Sequence, residues 1–551
     1  MASMKYVPAA LLTFLLAQGC SNTSEMPAVS AADAAIGMEA ASEQADSQMR
    51  SAVLAGLTTR AERTDYRETA RYQEVADFTD AIVAAAPFIH KTTFGYSKEG
   101  RALPLLVIGA DGADAESVLA AGKTRIFIQA NIHAGEVCGK EAMLLMLRDL
   151  ASGEHPEWAE NLVVLIAPIY NADGNEEFSL NNRPLQNGPV GGMGQRPNSD
   201  MFDLNRDHMK LDSPEARSLV RLFNDYDPHV IVDLHTTNGS HHAYHLTYSP
   251  PLNPNTDDRI DTFLRDKWLP DVTDTIRNKY GWEYYYYGNV PRRGEPGWYT
   301  FDYRARFNNN YSGLRNRMAI LSEAYAYLTF EERVMATKYF VEEILDFATS
   351  HADEIANVVE RAGASSAVGS DVALQATFEQ SPEPVRILMG EVEEETNPYS
   401  GERMLKRLDV VKPEMMYEYG AFTPTVTTQA PRAYVIPASQ REVIRRLGFH
   451  GIAMRALPSD STARVEAFRV DSVSVSDREY QGHHETKLFG AYETKDTTLS
   501  GGSMYVPVSQ PLGLLAVVLL EPLSDDGFLA WELVDKPKGD DGAYPIVRIA
   551  E

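Results

Sequence analysis

The chain has 551 residues, 44% of them hydrophobic, which is enough for two or three domains with ordinary cores. Its 51 basic and 78 acidic residues leave a formal charge of −27, and so acidic a surface repels phosphate backbones, which excludes nucleic acid as an expected partner. Two cysteines, Cys20 and Cys138, cannot make a disulfide framework.

At the N-terminus, Lys5 precedes an apolar run from Val7 to Ala17, the length of a signal h-region and too short to span a bilayer. The run ends in Leu16-Ala17-Gln18-Gly19-Cys20, which resembles a bacterial lipoprotein signal. That resemblance implies that residues 1–20 act as the signal, with lipid carried on Cys20. It also implies a place in the bacterial cell envelope, at the outer membrane facing the periplasm, because Ser21 is not an inner-membrane retention residue. The alternative is an ordinary cleaved signal with an incidental cysteine. Residues 21–58, rich in Ala, Ser, Glu and Met, read as a flexible tether.

Residues 59–361 read as an α/β domain. Its helices are expected at Tyr72 to Ala85, Gly139 to Leu150, Ser213 to Tyr226 and Phe330 to Ala348. Ser213 is a good N-cap, followed by Pro214 at the first helical position. Short apolar runs at Leu103–Ile108, Arg125–Ile132, Leu162–Ile169, Val230–Leu234 and Met318–Leu321 suit strands buried on both faces of a mixed, mainly parallel central sheet flanked by helices. Residues 371–551 alternate in short runs broken by Pro and Gly and read as a smaller, mostly β domain, with Leu512–Leu520 as one of its central strands.

Three of the expected strands end in residues fit for metal chemistry. Arg125–Ile132 runs into His133 and Glu136, Val230–Leu234 into His235, and Met318–Ser322 into Glu323. In open α/β sheets, ligands bind beyond the carboxyl ends of strands. Two imidazoles and one carboxylate with an open fourth position make a catalytic zinc pattern, whereas structural sites are closed by four ligands. The bare His-x-x-Glu spacing also arises on surface loops, so placement at the strand ends matters more than spacing.

Asn131-Ile132-His133-Ala134-Gly135-Glu136 with Gly139-Lys140-Glu141-Ala142, then Asp203-Leu204-Asn205-Arg206, Asp233-Leu234-His235 and Leu321-Ser322-Glu323, resembles the zinc metallocarboxypeptidase family, the carboxypeptidase A-like peptidases. The resemblance spans about residues 60–350 and implies a carboxypeptidase-like phosphorylase/hydrolase-type fold. It implies one Zn2+ held by His133, Glu136 and His235, with Glu323 as general base and then acid. It implies that Asn205 and Arg206 hold the substrate's terminal carboxylate and that Arg196 stabilises the oxyanion, with Arg183 the competing arginine. A substrate-capping tyrosine is expected at Tyr311 or, failing that, Tyr303. The free nitrogen of His133 suits Asp203 as a hydrogen-bond partner. The implied activity is zinc-dependent removal of C-terminal residues from peptides or peptidoglycan-derived peptides. An amide deacylase on the same site and a non-catalytic binding lipoprotein are the alternatives. Oligomeric state is left open.

Overall fold

A computed structural model describes residues 52–535 and 542–549. The signal segment, Cys20 and the tether as far as residue 51 lie outside the described residues. Regular structure begins earlier than Thr59: residues 52–56 are helical, and Leu54 is buried in the core. Leu54 joins the hydrophobic cluster of the α/β part.

In chain order the first strands are β1 (Ile89–Tyr96), β2 (Ala102–Ile108), β3 (Thr124–Ala130), β4 (Leu162–Ala167), β5 (Val230–Thr237), β6 (Leu246–Ser249), β7 (Tyr284–Tyr286), β8 (Trp298–Tyr299) and β9 (Met318–Tyr325). Eight of them form one mixed sheet in the order β1-β2-β4-β3-β5-β9-β6-β7. Its centre, β4-β3-β5-β9, is parallel throughout, whereas β1, β2 and β6 enter through antiparallel pairings. Every residue of β3, β4 and β5 is buried, as near-continuous apolar strands covered on both faces require. Successive side chains alternate between those faces. Ile126 and Ile128 therefore join the helices Tyr72–Ala85, Cys138–Ala151 and Phe330–Ser350 on one side, while Phe127 meets the helix Pro214–Tyr226 on the other. Ser213 caps that last helix by accepting from the Ala216 N–H at 3.0 Å.

The C-terminal region contributes β10 (Asp371–Glu379), β11 (Val385–Met389), β12 (Val392–Thr396), β13 (Arg403–Arg407), β14 (Lys412–Met416), β15 (Glu418–Tyr419) and β16 (Ala421–Gln429); β10 pairs with β16, β11 with β14 and β12 with β13. A six-stranded sheet follows, built from β17 (Ala433–Ile436), β18 (Arg455–Ala456), β19 (Ser461–Tyr480), β20 (His483–Leu499), β21 (Met504–Pro507) and β22 (Ala543–Ile549). The expected strand over Leu512–Leu520 is instead a helix, Gly513–Leu520. A fully apolar eight-residue run carries no period that separates a buried helix from a buried strand. Here the helix is buried except at Leu514, which is half-buried.

The mostly β region has a small cluster of its own around Val435, Val465 and Leu499 and shares a larger one with the α/β part. Tyr434, Phe468, Leu515 and Phe528 belong to the same buried cluster as Leu105, Phe127, Leu219 and Phe223 of the α/β part. β15 also pairs with β8, and Met389 bridges to His242.

Candidate active site

The turn after β3 depends on two small or permissive residues. Asn131 takes a left-handed φ of +67°, a region that asparagine tolerates better than most residues. Gly135 sits where an added Cβ would lie 2.9 Å from both the Arg183 side chain and the Gly194 carbonyl. The chain can therefore fold tightly, and the Glu136 N–H bonds back to the His133 carbonyl at 2.9 Å. From β5, His235 stands directly opposite Glu323 of β9 in the parallel register. The three strand ends expected from the sequence thus converge on one spot.

There, His133 Nδ1 lies 2.9 Å from Glu136 Oε1, and His235 Nδ1 lies 2.8 Å from Glu136 Oε2. One ligand atom from each residue falls within 4.8 Å of the other two, close enough to share a metal ion. The outward nitrogens are also held: His133 Nε2 by Asp203 Oδ1 at 3.0 Å and His235 Nε2 by Asp233 Oδ2 at 3.0 Å. A carboxylate on the far nitrogen fixes the tautomer and turns Nδ1 inward, as a metal-binding imidazole needs. The electrostatics agree. Burial opposes a charge on His235, yet Asp233 and Glu136 together push its proton affinity well above the ordinary value. Burial also opposes the charge on Glu136, but Arg183, His133 and His235 outweigh it and hold the carboxyl well below its usual range. The buried set is built around negative charge and draws in a cation. Two nitrogens and a carboxylate oxygen form a donor set that fits zinc.

Glu323 is different. Burial, with the nearby Glu136 charge added, raises its proton affinity to about 8, against the opposing pull of His235. Its Oε2 is buried and accepts no hydrogen bond from any described residue. A carboxyl poised near neutrality with a free oxygen is suited to proton transfer.

A cavity of about 380 Å³ opens on these groups, and Arg183, Arg196, Asn205, Arg206, Tyr287 and Phe307 line it as well. Arg196 Nε donates to Asp203 Oδ2 at 2.9 Å and leaves Nη1 3.7 Å from Glu136. Arg183 pairs with Glu136 directly. Both arginines reach the Glu136 carboxylate, Arg183 by a direct pair and Arg196 with Asp203 holding its Nε. Asn205 faces His235 Nε2 at 3.4 Å and accepts from the Asn308 N–H at 2.8 Å. The Arg206 guanidinium lies 4.1 Å over the Phe307 ring.

Tyr311, the expected substrate cap, is not at the cavity. It lies on the helix Asn308–Leu314, is fully buried, and bonds His450 Nδ1 at 2.7 Å through its hydroxyl. The helix turns that position into the core. Tyr303 is also engaged elsewhere, with Asp525 at 2.5 Å and the Ala376 N–H at 2.9 Å. The tyrosine at the cavity is Tyr287, just beyond β7. Burial and the Glu323 charge push its hydroxyl up to about 12, so it remains a donor. The sequence shows Tyr284–Tyr287 as a run of four tyrosines, and only the strand geometry singles out the last. Asp233 was also missed, although its signal was present: two residues before His235 on one strand places it on the same face.

Other titratable residues close to these motifs in sequence serve the fold. Arg317 pairs with Asp227, and Arg315 bonds Asn224 at 2.7 Å. His242 packs against Tyr325, and His245 stacks on Trp282. His483 pairs with Asp212 at 2.7 Å.

A His₂Glu set with a half-buried glutamate beside it, one of whose oxygens is unpartnered, defines a metal-dependent hydrolase site. Residues 75–302 match the model of the Peptidase_M14 family, zinc carboxypeptidase. The chain is 27% identical over 483 residues to Carboxypeptidase 2 of Trichophyton tonsurans, covering 84% of this chain and 82% of the relative. To Carboxypeptidase 2 of Trichophyton rubrum it is 26% identical over 476 residues, covering 82% and 81%. A solved metallo-carboxypeptidase from Burkholderia cenocepacia aligns with 51% of this chain and 70% of its own, at 15% identity and a TM-score of 0.38.

Proposed function

We propose that the protein is a zinc-dependent metallocarboxypeptidase that holds one zinc ion per chain and removes C-terminal residues from peptides, peptidoglycan-derived peptides among them. One observation carries the reading: the His133–Glu136–His235 set, Glu323, and the Asn205-Arg206 pair all face a single cavity. The relatives named as carboxypeptidases support it. Held by His133, Glu136 and His235, zinc would supply Lewis acidity to the attacking water and the scissile carbonyl. Glu323 would accept a proton and deliver it to the leaving amine. Arg196 faces the developing oxyanion, where a rigid cation is worth most in a site shielded from water. The Arg206 fork, with Asn205 beside it, pairs with the free carboxylate at the end of the peptide. The Tyr287 hydroxyl, still protonated, donates from the cavity wall.

We place the activity in the bacterial cell envelope, with the chain tethered to the outer membrane through lipid on Cys20. The support is the signal-like run ending in Leu16-Ala17-Gln18-Gly19-Cys20. Among the described residues, no helix is long and apolar enough to cross a membrane.

The test is digestion of free peptides, C-terminally amidated peptides and muropeptides, with product analysis. Free peptides are expected to lose single C-terminal residues and amidated ones to resist. Glu323→Gln should retain zinc and lose turnover. A Glu323→Gln enzyme with full activity would falsify the mechanism, and release of N-acyl groups in place of terminal residues would turn the assignment to an amide deacylase.

A further inference from the structure

The longest strands of the C-terminal sheet, β19 and β20, form a hairpin in which only Gln481 and Gly482 separate Tyr480 from its partner His483. Both linking residues have positive φ, +53° and +81°. A two-residue loop with that backbone is the tight turn that strongly prefers Asn-Gly or Asp-Gly. Gly482 meets the preference; Gln481 does not. A long side chain retained in a left-handed position against local preference points to a task for that side chain.

The task is visible at the tip. Gln481 Oε1 accepts the backbone N–H of Asp203 at 2.8 Å. Asp203 is the hub beside the metal-ligating set. Its carboxylate meets His133 Nε2 at 3.0 Å and Arg196 Nε at 2.9 Å, and lies 3.7 Å from Arg206 Nη1. The hairpin is seated on the same loop twice more. His483 bonds Asp212 at 2.7 Å, and a Cβ added at Gly482 would lie 3.2 Å from the Phe202 ring. The β22 strand stops pairing with β19 near Arg469, so the arm extends past the sheet and ends on this loop.

We propose that Gln481 is a positioning residue for the metal centre. By holding the Asp203 N–H it sets the angle at which the Asp203 carboxylate meets His133 and braces Arg196. The mostly β region thereby completes the hydrolase site. The inference rests on the zinc peptidase reading of that site.

Asparagine is favoured at the left-handed position, yet it is one methylene shorter and withdraws the acceptor from Asp203. In the full-length chain, Gln481→Asn should therefore melt no lower than wild type. It should also release zinc to a chromophoric chelator about tenfold faster, in the range seen when outer partners of metal ligands are lost. Its kcat should fall more than its KM changes. Gln481→Glu keeps the reach and the acceptor and should restore zinc retention. The idea is overturned if Gln481→Asn holds zinc and turns over like wild type, or if Gln481→Glu is as impaired as Gln481→Asn. The zinc readout needs no substrate. A wild type that holds zinc but cleaves no peptide overturns the proposed function and still lets the comparison decide the role of Gln481. A wild type that holds no zinc overturns both.

Discussion

Each imidazole of the candidate metal-ligating set is held from behind by its own carboxylate, Asp203 for His133 and Asp233 for His235. One of these partners comes from a loop and the other from the same strand as its histidine. The strand pair is legible in the sequence through the two-residue period, and Asp203 through its place in Asp203-Leu204-Asn205-Arg206. The arginine for the proposed oxyanion role is harder to read, because Arg183 and Arg196 both reach Glu136. Arg196 has the better claim to work on substrate: Asp203 holds its Nε, which leaves the terminal nitrogens of the fork toward the cavity. Arg196→Ala is expected to lower kcat by about 10²-fold, the usual cost of one oxyanion donor, while zinc content stays at wild type. If Arg196→Ala turns over normally and Arg183→Ala does not, the role passes to Arg183. No spacing rule could have excluded Tyr311, whose distance from Glu323 was acceptable. Only the helix Asn308–Leu314 shows that it faces His450.

Among the elements, the strands were easy to read and the loops were not. β3, β5 and β9 each contain a short apolar run, and their near-complete burial leaves those runs few alternatives. The loop carrying Phe301 and Phe307 to the cavity has no such signal. It is pinned from far along the chain: Asp526 accepts the Arg306 N–H at 2.6 Å and Nε at 2.9 Å, with both side chains nearly inaccessible. Removing one member of a buried pair leaves the other charged and unpaired. Asp526→Ala should therefore lower unfolding free energy by about 3–5 kcal/mol in denaturant titration. Loss within the error of the titration would show that the pair does not hold the loop.

Across the whole molecule, several buried histidines are kept neutral. The ring of His229 accepts the Arg125 N–H at Nδ1 at 3.0 Å, and that of His245 accepts the Glu283 N–H at 3.2 Å. His450 accepts from the Tyr311 hydroxyl at Nδ1 and donates from Nε2 to the Met209 carbonyl. Burial pushes the proton affinity of each down to about 3. Unfolded histidine titrates near 6.5. Below that value the unfolded chain binds protons that the folded chain refuses, so stability is full above about pH 6.5 and falls as pH drops toward 3. Each such histidine contributes a slope of about 1.4 kcal/mol per pH unit. Buried carboxyls with raised affinity, such as Asp525 at about 6, work in the opposite direction. His450→Gln should flatten the loss of unfolding free energy between pH 6 and 4 by about that one slope. An unchanged slope would show that His450 is not the neutral ring its partners imply.

By itself the sequence determined the parallel core strands, the four main helices of the α/β part, and the residues at the strand ends. These depend on local period and composition, and a strand that runs into His133, His235 or Glu323 places that residue at the sheet's carboxyl edge whatever surrounds it. Tertiary structure alone decided which tyrosine meets the cavity, that Leu512–Leu520 coils into a helix, and that the mostly β region reaches Asp203 through Gln481. Each of these turns on a partner tens to hundreds of residues away. A hydrogen bond across 278 residues leaves no trace in the pattern of either segment.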